Sequence, residues 1–376
     1  MKLLHTSDWH LGTSLRGGIS YVDDQLFFIN QIYDIAVSHS VDGIIIAGDV
    51  FDRDVASQQA IRIYDEAVTH MCVDLDIPVF IIAGNHDGAG RLSQCSRLLK
   101  KSGLYITGSL EKDVQVINFG DTDIYMLPWI STDRVKTTYP ETADTIESLE
   151  DAYRVALDKM RETFDPSHKK VLVSHSFTLS DGDKDSVVGN AALIDASVYD
   201  GFDYIALGHL HGPHNVTDKV RYSGSPMAYS FGTEEKQTKS VTIYDSETGE
   251  CEEVALTPLH ERHTIKDTLE NILKADYPEN VIKGYVRLEI TDQFVGYETA
   301  SNFKLKYENV LEYTCPNIET DSGKITMSMD ELELVKDDPE KVFKSYCSDI
   351  LDDITLSDSF ITMFNEAVSE YGKETE

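Results

Sequence analysis

Five short segments along the chain carry side chains that bind divalent metals: Asp8-Trp9-His10, Gly48-Asp49, Gly84-Asn85-His86-Asp87, His175 and Gly208-His209-Leu210-His211. Together they offer carboxylate, imidazole and amide donors in the number that two adjacent ions need. The chemistry served by such a pair is phosphoester hydrolysis. That reaction needs an activated water and relief of negative charge on the attacked phosphoryl group, and two cations about 3.5 to 4 Å apart supply both. No cysteine belongs to the set, which disfavours a purely soft site and suits Mn2+, Fe2+ or Zn2+.

Asp49 is the natural bridge, since a carboxylate can give one oxygen to each ion. Asp8, His10 and one of His209 and His211 complete one metal; Asn85, His175 and the other late histidine complete the second. His209 and His211 stand two apart, so in extended backbone both face the same side while Leu210 points away. His86 follows Asn85 directly and does not share its direction. It reads as a non-ligand acid that stabilises or protonates the leaving oxygen, with Asp87 holding its ring. Any one of these motifs alone is a weak signal, but all five in order are not a chance pattern.

The elements that must position these residues are legible as short apolar runs. Residues 2–6, 43–47 and 78–83 fit buried strands of an α/β sheet. Between them Leu26, Ile29, Ile32, Tyr33, Ala36 and Val37 recur at helical spacing, as do Ile61, Tyr64, Ala67, Val68 and Met71, and both faces are expected in the core. Asp8, Asp49 and Asn85 then fall just past strand C-terminal ends, where open α/β sheets place their crevices. Further strands are expected at 114–119, 124–127, 171–174, 204–207, 220–223 and 241–244, with a helix over 145–164. Two such halves facing each other make a sandwich of two sheets with helices outside.

Composition shifts after residue 258. Residues 259–266 read as a connector, followed by a helix over 268–275, a strand over 286–290, a helix over 303–308 and a strand over 310–315. The expected organisation is therefore a domain over 1–258, a small α+β domain over 266–322 and, past an acidic stretch, a helix-loop-helix over 339–376. The two amphipathic helices of that last segment, over 339–351 and 357–371, are too few to bury their own apolar faces, and docking on a partner helix is their natural use.

With 376 residues the chain has room for a sizeable core. Its five cysteines are scattered and lack C-x-x-C spacing, as expected of reduced thiols in the cytoplasm. The first residues lead into a strand rather than a charged and then long apolar run, so neither a signal peptide nor a membrane span is expected. The formal net charge of -33 is unlike that of a free-standing nucleic-acid binder. It fits solubility or adaptation to salt, with Arg53, Arg91, Arg97, Lys100 and Lys101 available as a small local basic patch. His5, His39, His70 and His168 read as structural histidines. His260 and His263, in His-Glu-Arg-His, lack the i, i+4 spacing of a zinc motif.

Asp8-Trp9-His10-Leu11-Gly12, Ala47-Gly48-Asp49-Val50-Phe51-Asp52, Ala83-Gly84-Asn85-His86-Asp87, Ala206-Leu207-Gly208-His209-Leu210-His211 and Arg221-Tyr222-Ser223-Gly224-Ser225-Pro226 carry a resemblance. Over residues 1–244 the chain resembles the calcineurin-like metallophosphoesterase superfamily and, within it, the bacterial MRE-type DNA repair nucleases. The resemblance implies a four-layer αββα domain with metal one at Asp8, His10, Asp49 and His211, metal two at Asp49, Asn85, His175 and His209, and His86 as the catalytic histidine. It implies Mn2+ as the preferred ion, exonuclease action on DNA ends and endonuclease action on hairpins and single strands. The implied partner is an SbcC-type, SMC-like ATPase that binds ATP in place of this chain, within a heterotetramer containing a homodimer of the nuclease subunit. Residues 266–322 would cap DNA and residues 339–376 would clasp the partner's coiled coil, in a cytoplasmic, nucleoid-associated complex. The alternative, a small-molecule or protein phosphatase on the same core, leaves the C-terminal extension without a purpose.

Overall fold

The computed structural model describes residues 1–13, 20–179, 193–292, 295, 297–320 and 323–328. The expected helix pair over 339–376 lies outside the described residues. The chain divides into two compact units, Met1–Thr13 with Tyr21–Leu259, and Ser14–Ser20 with the residues from His260 onward.

In the first unit, strands β1 (Lys2–Thr6), β2 (Gly43–Ile46), β3 (Val79–Ile82) and β4 (Leu104–Thr107) run parallel, and β13 (Ser240–Asp245) and β14 (Cys251–Ala255) continue the sheet antiparallel beyond β1. The second sheet has the order β11 (His214–Asn215), β12 (Val220–Tyr222), β10 (Tyr204–Gly208), β7 (Lys169–His175), β6 (Thr122–Leu127) and β5 (Val116–Phe119). A small pair, β8 (Thr178–Leu179) with β9 (Ile194–Asp195), stands apart.

One core lies between the sheets. Leu3, Ile45, Phe80 and Ile82 from the first meet Ile124, Val171, Val173, Tyr204 and Ala206 from the second. Leu4, Ile44, Ile46 and Ile81, which alternate with these along β1 to β3, are also fully buried, as a sheet covered on both faces requires. Helix α1 (Val22–Ser38) buries Phe28, Ile29, Ile32 and Ala36, and α2 (Gln58–Thr69) buries Ile63, Ala67 and Val68. The outer face of the second sheet packs Tyr125, Leu127, Leu172, Ile205 and Leu207 against Tyr153, Ala156, Leu157 and Met160 of the helix Leu149–Arg161. The result is an α/β fold in four layers.

Several expectations need correction. Leu26, Val37 and Ile61, read as core, are exposed, because each apolar stripe is wider than the arc that reaches the sheet. The helix expected over 145–164 starts only at Leu149, where Ser148 and Asp151 form a reciprocal capping box, and a 3-10 segment Pro140–Thr145 precedes it. The connector expected at 259–266 is mostly strand.

That strand opens the second unit. There β15 (Arg262–Asp267), β16 (Tyr285–Ile290), β17 (Asn309–Thr320) and β18 (Gly323–Ser328) form a sheet in sequence order, with β15, β16 and β17 parallel. The connection from β15 to β16 carries the helix Leu269–Lys274, whose Thr268 cap accepts from Asn271 N at 3.3 Å, and the helix Glu279–Lys283. Leu269, Ile272, Val286, Leu288, Phe303 and Tyr307 form its own core. The described part of this unit thus combines a four-stranded sheet with short helices. The helix expected over 303–308 is instead a helix Tyr297–Ser301 followed by a 3-10 turn Asn302–Leu305.

Candidate metal centre and active site

The first sheet delivers Asp8, Asp49 and Asn85 just beyond β1, β2 and β3; the second delivers His175 as the last residue of β7 and His209 and His211 just beyond β10. All reach one edge of the sandwich. Parallel strands end together, so residues far apart in sequence become neighbours without any long-range signal between them.

The donors form two groups on either side of Asp49. Its Oδ2 lies 3.8 Å from His10 Nε2 and 3.4 Å from His175 Nε2. On the first side His10 Nε2 is 3.2 Å from His211 Nε2, and a carboxylate oxygen of Asp8 lies with both within 4.8 Å. On the second, Asn85 Oδ1 is 3.0 Å from both His175 Nε2 and His209 Nδ1. Two imidazole nitrogens facing each other at 3.2 Å share either a proton or a cation, and an acidic oxygen beside them favours the cation. Carboxylate, imidazole and amide oxygen together fit borderline divalent ions, and Asp49 stands between the two donor groups.

The backbone is strained where it carries these side chains. Asp8, His10, Asp49 and His209 all have positive φ, at 54°, 43°, 50° and 107°, a region few non-glycine residues occupy. The motif glycines serve close approach. A Cβ on Gly84 would overlap the Asp49 carboxylate, and one on Gly208 would overlap the Ala47 carbonyl.

The imidazoles are held from outside the donor groups in different ways. His175 donates Nδ1–H to Ala47 O at 2.8 Å, which turns Nε2 toward Asp49 and Asn85. His211 Nδ1 lies 3.3 Å from Glu234 Oε1. His209 stacks on Trp129, with centroids 5.7 Å apart and planes 24° from parallel, while its backbone N–H donates to Asp8 Oδ1 at 3.0 Å. The Tyr229 ring stands edge-on to His10 at 5.3 Å. Ser7 donates to Asp8 Oδ2 at 2.6 Å. The hydrogen bonds orient His175 and His211 at a ring nitrogen, and the ring contacts fix the direction of His10 and His209.

Electrostatics follow from burial with paired charges. Burial, against the pull of His175, raises Asp8 to about 6. Burial lowers His10 to about 4, with Asp49 offsetting it only in part. His209 also falls to about 4, through burial and then the charge of His175. Burial alone would lower His175, but the Asp49 carboxylate overrides it and holds the imidazole up at about 9. Burial likewise opposes ionisation of Asp49, yet His175 keeps that carboxyl well below the ordinary range. An ionised carboxylate at the centre with neutral imidazoles at His10 and His209 is a cation-seeking arrangement.

His86 sits at the open side of the site. Its backbone N–H donates to Asp49 Oδ1 at 2.9 Å, and its exposed ring stands edge-on to His10 at 4.8 Å. One ring nitrogen is close enough to His10 and Asp49 to share a cation with them. The partner expected for its ring is corrected: His86 Nδ1 donates to the backbone oxygen of Asp52 at 2.9 Å. The Asp87 carboxylate is committed elsewhere, accepting backbone N–H bonds from Val50 at 3.1 Å, Phe51 at 2.8 Å and Gly84 at 2.9 Å. Asp87 therefore shapes the loops after β2 and β3, and does not touch the ring.

Other residues singled out from sequence are also placed. His5 bridges the sheets through Tyr204 Oη at 2.8 Å and Leu207 O at 3.1 Å. His70 pairs with Asp74 and His168 with Asp123, away from the centre. Arg53 and Arg91 of the expected basic patch are paired with Asp52 and Asp54, so those charges are offset. Glu234, Lys239, Trp129 and Tyr229 had no sequence signal: each lies outside the five motifs and reaches the site only through the fold.

The family model for calcineurin-like phosphoesterases matches residues 1–213. The chain is 28% identical over 362 residues, 94% of each chain, to a protein of Staphylococcus epidermidis named as the D component of the nuclease SbcCD. It is 26% identical over 357 residues, 93% of each chain, to the Staphylococcus saprophyticus protein of the same name. This similarity runs well beyond the phosphoesterase segment into the second unit. Among the described residues no helix is long and apolar enough to cross a membrane. Every donor from Asp8 to His211 lies inside the matched segment, and the chain belongs to the calcineurin-like phosphoesterase family.

Proposed function

We propose that this chain is the nuclease subunit of an SbcCD-type DNA repair complex, hydrolysing DNA phosphodiesters with two divalent ions, Mn2+ foremost. The observation that carries this reading is the 362-residue similarity to a named nuclease component, which covers the C-terminal part that a phosphatase would not need. When bound, the ions supply charge neutralisation on the phosphoryl group and an activated water.

The chain's own residues do the rest. Asp8, His10, Asp49 and His211 hold one ion, and Asp49, Asn85, His175 and His209 the other. His86, with its Nδ1 proton committed to Asp52 O, turns Nε2 to the substrate side, where in its protonated form it donates to the departing 3′ or 5′ oxygen. Residues 266–322 contact DNA as a cap. Residues 339–376 bind the coiled coil of an SbcC-type, SMC-like ATPase, which binds the ATP, and two copies of each subunit form the cytoplasmic complex. With a net charge of -33 the isolated chain depends on that partner for its hold on duplex DNA.

The test is incubation of the chain with hairpin and linear duplex DNA plus Mn2+, with and without the ATPase and ATP, beside aryl phosphate monoester and diester substrates. Cleavage of DNA and diester is expected, with the partner increasing action on duplex ends. Turnover of the monoester alone would replace the nuclease reading with a phosphatase. Tight duplex binding by the isolated chain with a steep salt dependence would remove the dependence on the partner.

A further inference from the structure

His211 is gripped at two points by residues the phosphoesterase match does not include. Its ring Nδ1 faces Glu234 Oε1 at 3.3 Å. Its backbone oxygen accepts from Lys239 Nζ at 2.8 Å and from Ser225 N at 3.1 Å. Glu234 is itself fully engaged: Oε1 also accepts from Ser230 Oγ at 2.6 Å, and Oε2 accepts from Lys239 Nζ at 2.9 Å and Tyr229 N at 3.1 Å. Lys239 thus holds the carboxylate that holds the ring and, at the same time, the main chain that carries it.

The pair is costly to bury. The Lys239 side chain is 6% exposed and that of Glu234 12%. A buried ion pair gains little net stability over apolar residues of the same volume, so its presence points to a demand for position. The placement fits that demand. Lys239 immediately precedes β13, which pairs with β1, the strand that leads to Asp8, whereas His211 follows β10 of the other sheet. The lysine ties the His211 loop to the sheet that supplies its neighbours in the donor group.

We propose that Glu234 and Lys239 are positioning residues for one ion only, the one held by Asp8, His10 and His211. Glu234 fixes the His211 ring with Nδ1 toward the carboxylate and Nε2 toward His10, and Lys239 locks Glu234 and the His211 main chain into one unit. The other donor group is oriented by different means: His175 uses the Ala47 carbonyl and His209 uses the Trp129 face. This inference rests on the reading of these side chains as metal ligands.

The experiment is calorimetric titration of Mn2+ into the full chain, wild type beside Glu234→Ala, Glu234→Gln and Lys239→Met, with folding checked by circular dichroism. Wild type is expected to take up two equivalents. Glu234→Ala and Lys239→Met are expected to weaken one of them by about 10- to 100-fold and leave the other unchanged, the range for loss of a contact behind a ligand. Glu234→Gln, which keeps an acceptor without charge, is expected to fall between. Asn85→Ala, which cuts the other donor group, should leave one ion, and adding Glu234→Gln to it must weaken that remaining ion. If Glu234→Ala does not fold, Glu234→Gln in both backgrounds decides. Unchanged affinities in the folded variants, or equal weakening at both sites, would overturn the proposal while leaving the metal reading intact. A wild-type chain that binds no Mn2+ would remove the metal reading and this inference with it.

Discussion

His86 donates its ring proton to the backbone oxygen of Asp52, 2.9 Å away, while the Asp87 carboxylate beside it in sequence takes three backbone N–H groups instead. The ring is thereby aimed by main chain. Replacing the Asp52 side chain should leave that aim in place, whereas replacing His86 removes the group itself. His86→Ala is expected to retain metal binding and lose about 10²- to 10⁴-fold in hydrolysis. Asp52→Ala is expected to lose much less. Steady-state rates on a diester substrate with Mn2+ check both, and equal losses would mean that the carboxylate matters more than the carbonyl.

Asp87 has a different expected signature. Its removal strands three buried N–H groups in the loops after β2 and β3, at roughly 1 to 3 kcal/mol for each unsatisfied donor. Asp87→Ala should therefore lower unfolding stability by about 3 kcal/mol or more, measurable by urea titration. A variant as stable as the parent but inactive would return Asp87 to a direct role in the reaction.

Metal binding should be visible as stability. Ions that bind only the folded chain stabilise it by about 2.7 kcal/mol per site at a hundred times Kd. Mn2+ is expected to raise the melting temperature and a chelator to lower it. Asp49→Asn, which removes the charge of the carboxylate common to both donor groups, should abolish most of the rise, and Asn85→Ala only part of it. Scanning calorimetry with and without Mn2+ separates these outcomes.

Acid should weaken the join between the sheets at His5. Burial, and then the charge of Arg221, hold this imidazole down at about 3, while it stays hydrogen-bonded to Tyr204 and Leu207. In the unfolded chain it titrates at about 6.5, so below that pH the unfolded state binds a proton that the folded state refuses. The contribution is complete above about 6.5 and is lost as pH falls toward 3, on the order of 3 kcal/mol by pH 4. His5→Gln, which cannot titrate, should show a shallower acid decline than the parent in denaturant titrations at several pH values. Identical slopes would exclude His5 as a contributor.

Gly84→Ala is expected to be among the most damaging single-methyl changes in the chain, since the added Cβ overlaps the Asp49 carboxylate. Loss of both metal equivalents by calorimetry, out of proportion to any loss of helix or strand signal, is the outcome to look for.

Much of this architecture was legible in advance because strand ends carry their own chemistry. Asp8, Asp49 and Asn85 each follow a short apolar run, and a parallel sheet brings such ends together whatever their spacing in sequence. The strand Arg262–Asp267 was not legible: Arg-His-Thr-Ile-Lys-Asp is polar, and only its parallel pairing with Tyr285–Ile290 makes it a strand. Ile61 has the right spacing for core and lies on the exposed flank of its helix, because periodicity gives a direction without the width of the covered arc. Glu234 and Lys239 carry no pattern at all. Their meaning arises from a turn after the second sheet folding back on a loop of that sheet, and the carbonyl of Asp52, like every carbonyl, is invisible to side-chain reasoning.

The division of donors between the two sheets has a consequence for how the protein is made. Asp8, His10, Asp49 and Asn85 leave the ribosome well before His175, His209 and His211, and each donor group draws on both batches. On the proposed assignment a nascent chain completes neither donor group until synthesis has passed His209, or His211 for the group around His10, and the second sheet has closed on the first. Prematurely terminated products are disarmed by construction, and hydrolytic capacity appears only in molecules whose core is complete.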